Sequence, residues 1–263
     1  SLAAAIVIFM HIKTKSEITT MKKAAKILSA ALSFAQTIAK PGMTTKELDL
    51  AVEKFILDRG GKPGFKGYLG FPATICKAVN DEIVHGIPDD TPLQEGDIIT
   101  VDCGVLLDGY NSDSAVSFAI GEIPKETQHF MDVCQQALYE GIKMIKPGVK
   151  TGDLGHKIQT FIESNGYYVF KDLIGHGIGK KLWEEPQVPN FGTPNTGVEL
   201  KPGMVICVEP IIGQSTNKMI TLEDNWTIVT QDMSLGCQFE HMILITKTGC
   251  EVLTKRADES IPI

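Results

Sequence analysis

A chain of 263 residues, 43% apolar and 22% charged, is long enough for one large domain or two halves around a shared core, with an ordinary globular composition. Its formal net charge of −7 argues against a nucleic-acid-binding face, which needs clustered Lys and Arg, and leaves carboxylates available for cations. Six cysteines (Cys76, Cys103, Cys134, Cys207, Cys237, Cys250) without a C-x-x-C pair argue against a zinc ribbon or redox motif and read as free buried thiols in a reducing cytosol.

Residues 1–10, SLAAAIVIFM, form an apolar run too short to span a bilayer and without the charged start of a secretory signal. Met10 followed by HIKTKSE reads as the start of a soluble domain covering 11–263. Residues 1–10 are then an upstream extension or appended residues, with a shortened membrane anchor as the alternative.

Thr14-x-x-Glu17 predicts a capping box. Ile18, Met21, Ala25, Leu28, Leu32 and Ala35 then step by three and four along one face of a helix. A Pro-Gly break follows, and Leu48, Val52 and Phe55 predict a second amphipathic helix. The same order recurs later. Phe130, Val133, Ala137, Leu138, Gly141 and Ile145 give a stripe, a Pro-Gly follows, and Leu154, Ile158 and Phe161 give another. Residues 40–60 (KPGMTTKELDLAVEKFILDRG) and 146–166 (KPGVKTGDLGHKIQTFIESNG) match at an offset of 106. The chain is a duplication, with halves of approximately 14–120 and 121–250 within a single domain.

The repeat continues into strands. EGDIITVD (95–102) matches PGMVICVE (202–209); both are short β-branched runs after a Gly turn, and each ends in a carboxylate, Asp102 or Glu209. A buried carboxylate without a partner is costly. Salt bridges are one resolution; a cation shared between the halves accounts for both acids together.

Asp108-Gly109 signals a two-residue hairpin turn, because both central positions need positive φ. In that register Asp102 faces Ala115, Asp113 faces Gly104, and the two acids share one face as diagonal neighbours roughly 7–8 Å apart. That is close enough for side chains to converge on metals spaced about 3.5–4 Å. Gly104 is expected to leave the space above this face empty. His176 in GHGIG sits among glycines that permit close approach of backbone and ligand, and Glu240 heads the apolar run HMILIT. Four carboxylates and one imidazole suit Mn, Fe(II) or Co better than zinc. A dinuclear site of this kind generates a bridging hydroxide, so the expected chemistry is hydrolysis.

With these residues in place the chain resembles the type I methionine aminopeptidases of bacteria, from about Met10 to Pro262. FKGYLGFPATIC, VNDEIVHGIPDD, EGDIITVDCGVLLDGYNSDSA, GHGIG, EEPQVPNFG, KPGMVICVEP, DNWTIVT and FEHMILIT carry the resemblance. It implies an α+β pita-bread fold with pseudo-two-fold halves, a central antiparallel sheet and helices on its outer face. It also implies removal of the initiator methionine by a two-metal centre. Asp102 would chelate one ion, Asp113 and Glu240 would bridge, and His176 and Glu209 would hold the other. Glu209 would move the proton of the attacking hydroxide, and His85 would contact the scissile amide. The family's methionine slot falls on Phe65, Tyr68, Phe71, Cys76, Leu182 and Trp226. The implied partners are N-termini of nascent polypeptides at the ribosome, in the cytoplasm, with a monomeric enzyme that contacts neither nucleic acid nor membrane.

One position departs from the family pattern. Where relatives carry a second histidine, seven residues after that of GHGIG, this chain has Trp183, which offers one N–H donor and no titratable group. Leu69 is a smaller departure beside the slot. Two other readings stay open: a pita-bread peptidase acting beside proline, and a binding module on a weakened peptidase site.

Overall fold

The computed structural model describes residues 12–262, so the reading of residues 1–10 lies outside the described part. Among these residues no helix is long and apolar enough to cross a membrane. Helix α1 (Lys15–Ile38) opens on the expected capping box. Glu17 Oε2 accepts from the Thr14 N–H at 2.7 Å and Thr14 Oγ1 accepts from the Glu17 N–H at 3.2 Å, an arrangement that stabilises a helix start by about 1 kcal/mol. Met21, Ala25, Leu28, Leu32 and Ala35 are fully buried, while Ile18 is half-buried.

Helices α2 (Thr45–Leu57), α3 (Lys125–Met144) and α4 (Thr151–Ser164) complete the helical layer. The sequence repeat is a structural repeat. The turn glycines Gly42 and Gly148 have φ of 88° and 92°, a region that a β-carbon disfavours. Thr44 bridges to Pro92 and Lys150 to Glu199, equivalent contacts that pin the start of α2 and of α4 to the loop ahead of each acid-bearing strand. The predicted stripe is off by one residue in both copies. Ile56 and Ile162 are fully buried, continuing Leu48–Val52 and Leu154–Ile158 at spacings of four, whereas Phe55 and Phe161 are half-buried. Phe55 instead stacks on Phe34 at 4.7 Å, with the Arg59 guanidinium over its ring. Flat aromatic faces find cover from a ring and a cation at the edge of the core.

The strands form four sheets, and the pairings within them are antiparallel. The long hairpin joins Ile98–Leu107 to Tyr110–Ala119 through Asp108 (φ 47°) and Gly109 (φ 82°), and its register pairs Asp102 with Ala115 and Gly104 with Asp113 as expected. Alternation along the strand sends Val101, Cys103 and Val105 into the helix-covered core and Asp102 to the opposite face. The space beside Gly104 is filled rather than empty. A β-carbon there would lie 2.7 Å from the edge of the Phe65 ring.

In the second half the strand Val205–Val208 ends one residue before Glu209, where its counterpart runs five residues beyond Asp102. Pro210, which cannot donate to the ladder, accounts for the stop. The halves are joined at the acids themselves. Ala115 and Glu240 form an isolated bridge, with the Glu240 N–H donating to Ala115 O at 3.0 Å. Ser114 Oγ donates to Glu240 O at 2.6 Å, and Ser117 Oγ to Gln238 O at 2.7 Å.

Candidate metal centre

These elements carry Asp102, Asp113, His176, Glu209 and Glu240 into one cavity of about 520 Å³, within the usual range for small-ligand sites. Four of the five are nearly sealed: Asp113 is 5% exposed, His176 7%, Glu209 9% and Glu240 1%. Asp102 keeps some exposure, but its Oδ1 is covered. His176 lies in the short strand Gly175–Gly177, paired on one side with Cys207 and on the other with Gln187. The flanking glycines let neighbouring backbone, rather than a ligand, approach closely: a β-carbon on Gly175 would strike Cys207 O, and one on Gly177 would strike Glu185 O. The imidazole Nδ1 lies 2.8 Å from Gly177 O. That contact fixes Nδ1 as the donor and turns Nε2 toward Asp113 Oδ2 (3.5 Å) and Glu209 Oε1 (3.6 Å).

The electrostatics are those of a site short of positive charge. Burial pushes Asp102 and Glu240 well above the usual carboxylate range, and Asp113 adds to both. Burial also lifts Glu209 to about 8, with His176 opposing and Asp113 adding. Burial disfavours the His176 cation, yet Asp113 and Glu209 raise it to about 9. Asp102 Oδ1, Asp113 Oδ1 and Glu240 Oε1 are buried without a hydrogen-bond partner. Orphaned acceptors this deep cost about 1–3 kcal/mol each, more when charged. Hard oxygens around one imidazole fit divalent ions, which would pair with all of them at once.

The expected slot residues line the same cavity. Phe65, Phe71, Cys76 and Leu182 are buried in a satellite cluster apart from the main core, and Trp226 meets Phe71 edge-on at 5.2 Å. Trp226 is held by Asp224, whose Oδ1 accepts from the Trp226 N–H at 2.8 Å. Tyr68, Leu69 and Trp183 stand exposed at the rim. The Trp183 ring lies 6.3 Å from that of His176, tilted by 33°. His85 opens onto the cavity with φ 60°, a left-handed conformation that costs a non-glycine residue about 1–3 kcal/mol and clusters at functional sites. Its neighbour Gly86 enforces this, because the Lys77 N–H donates to Gly86 O at 2.9 Å and a β-carbon on Gly86 would overlap Lys77 O. Desolvation holds the His85 imidazole below its usual value, against a small pull from Asp113.

Three site residues escaped the sequence reading. Gln238 Nε2 donates to Glu209 Oε2 at 3.2 Å, and Asn190 Nδ2 donates to Glu209 O at 2.9 Å, fixing that side chain and its backbone. Cys207, read as a core thiol, brings its sulfur to Asp113, His176 and Glu240. Strand alternation held the signal for two of them: Cys207 and Gln238 each lie two residues before a ligand candidate, on the same face.

A duplicated antiparallel core that brings acids and one imidazole together at a buried point suits a metallopeptidase, and the chain belongs to metallopeptidase family M24, matched over residues 19–247. Its relatives there include methionine aminopeptidase 1 of Bacillus subtilis, 42% identical over 243 residues that span 92% of this chain and 98% of that protein. The crystal structure of methionine aminopeptidase from Thermotoga maritima superposes with a TM-score of 0.92 at 42% identity, covering 94% of this chain and 100% of that one. Prolidase from Pyrococcus furiosus gives 0.78 at 26% identity, covering 94% of this chain but 66% of that one. The fold is the pita-bread fold that these aminopeptidases and prolidases share.

Proposed function

We propose that the protein is a methionine aminopeptidase that removes the initiator methionine from polypeptides with a small second residue. The observation that carries this reading is the meeting, in one cavity, of five metal-ligand candidates with an aromatic and sulfur-lined slot. Asp102, Asp113, His176, Glu209 and Glu240 would together hold the divalent ions. Two divalent ions (Co, Mn or Fe(II)) bound there would supply Lewis acidity and activate water at neutral pH. Glu209 accepts the proton of the attacking water and passes it toward the leaving amine, while Gln238 keeps its carboxylate aimed. His85 donates a hydrogen bond at the scissile amide. Phe65, Tyr68, Phe71, Cys76, Leu182 and Trp226 receive the thioether through dispersion and S–aromatic contact. Trp183 offers its indole N–H at the rim, where relatives place an imidazole. The physiological substrates are nascent chains in the cytoplasm, met at the ribosome by a monomeric enzyme.

The test is release of methionine from Met-Ala-Ser across a panel of divalent ions, with metal analysis, beside an Xaa-Pro peptide. Cleavage of the Met peptide supports the proposal. Cleavage of the Xaa-Pro peptide alone would move the protein to prolidase-like chemistry, a likeness the Pyrococcus structure raises. Stoichiometric metal with no turnover on either would mark a binding module, the outcome that the bulk of Trp183 at the rim favours.

A further inference from the structure

Cys207 is left unused by the five-ligand scheme. It precedes Glu209 by two residues, so both side chains leave the same face, and its strand register sets it between His176 and Met242. Its sulfur, an imidazole nitrogen of His176 and carboxylate oxygens of Asp113 and Glu240 all lie within 4.8 Å of one another, and all four residues are buried. Two acceptors in this group, Asp113 Oδ1 and Glu240 Oε1, have no hydrogen-bond partner. Donors around tetrahedral zinc, bound at about 2.0–2.3 Å, stand about 3.3–3.8 Å apart, so side-chain shifts of about 1 Å would close the set.

We propose that Cys207 is an additional donor reserved for thiophilic ions. With Zn²⁺ or Cd²⁺, its thiolate joins Asp113, His176 and Glu240 in a tetrahedral site with one sulfur, one nitrogen and two oxygens. That site captures a single soft ion in place of the two-ion arrangement. The inference rests on the metal-centre reading above. In the exchange the S–H bond breaks, its proton leaves through the cavity to bulk water, and a metal–sulfur bond forms without electron transfer. With harder ions such as Mn²⁺ the oxygens prevail and the sulfur takes no part. The centre therefore holds a soft ion more tightly than a hard one, in a geometry that lacks the second metal.

The experiment loads metal-free protein with one equivalent of Zn²⁺ and reads its coordination by X-ray absorption, then titrates Cd²⁺ and follows thiolate-to-metal charge transfer in the ultraviolet. A sulfur shell at about 2.3 Å is expected in the unmodified protein. Cys207→Ser is expected to abolish the sulfur shell and the charge-transfer band. It should weaken Zn²⁺ binding by about tenfold or more and leave Mn²⁺ binding within about twofold. Cys76→Ser, in the same cavity, keeps both signals. Stoichiometric Zn²⁺ with only nitrogen and oxygen neighbours, or a band that survives Cys207→Ser, overturns the proposal while the five-ligand centre stands. Failure to take up any divalent ion overturns both. The zinc spectrum of the unmodified protein decides the matter even where the variant folds poorly.

Discussion

His176 Nε2, from the second half of the chain, lies 3.5 Å from Oδ2 of Asp113, from the first. Neither half can make this contact alone, and a divalent ion between the two would replace a long imidazole–carboxylate contact with direct ligation. Asp113 stands at the middle of the acid cluster: its charge raises Asp102, Glu209 and Glu240 alike. We therefore expect Asp113→Asn to abolish methionine release and most metal retention, read by turnover and by metal content after gel filtration. An active, metal-replete variant would count heavily against the site.

The proposed function gives His85 a part in the chemistry and none in metal retention. Its ring opens onto the cavity from a strained backbone. Removing a positioned hydrogen-bonding side chain of this kind costs about 100-fold or more in rate. His85→Ala is expected to lower kcat by that order with metal stoichiometry unchanged. Loss of metal together with activity would reassign the residue to building the centre.

Trp183 stands 40% exposed, a bulky ring at the rim of the cavity. Trp183→His is expected to keep or raise kcat/KM for Met-Ala-Ser. A collapse would show that the indole itself contributes, through its N–H or through its packing beside His176.

The acid cluster also sets how the metal-free protein responds to pH. Glu209 is raised from 4.5 to about 8 and His176 from 6.5 to about 9, with Asp102 and Glu240 raised as well. The folded state therefore binds these protons more tightly than the unfolded chain. The stability they contribute is complete below the unfolded values and is lost as pH rises through about 8 and then about 9. In excess chelator the thermal midpoint should fall between pH 5 and pH 9. A saturating divalent ion should reverse the trend, since protons then compete with metal for the same oxygens. A midpoint that climbs with pH in chelator would contradict the clustered-acid picture.

Much of the site was legible because period-two alternation and one turn signal determine it. Asp108-Gly109 alone set the register that brings Asp102 and Asp113 to one face, and the duplicated sequence placed Glu209 as the partner acid. What escaped depended on contacts distant in sequence. Phe55 and Ile56 are both apolar and adjacent, and the partners that cover Phe55 at the edge of the core, Phe34 and Arg59, come from the folded structure. The Phe65 ring fills the space at Gly104 from a loop whose path the hairpin does not specify. The left-handed backbone at His85 sits beside Gly86, which packs closely on Lys77, and no pattern in VHGIP records that. Gln238 and Cys207 were within reach of the alternation argument, but an amide and a thiol on buried strands read first as packing.

The bridge between Ala115 and Glu240 has a temporal side. Glu240 is the last of the five ligand candidates to be synthesised, and it docks against a hairpin made more than a hundred residues earlier. Until that residue leaves the exit tunnel, the growing chain lacks one of the five ligand candidates. On the proposed function, competence would come as a single late event, and truncated products of interrupted translation would be inert rather than partly active.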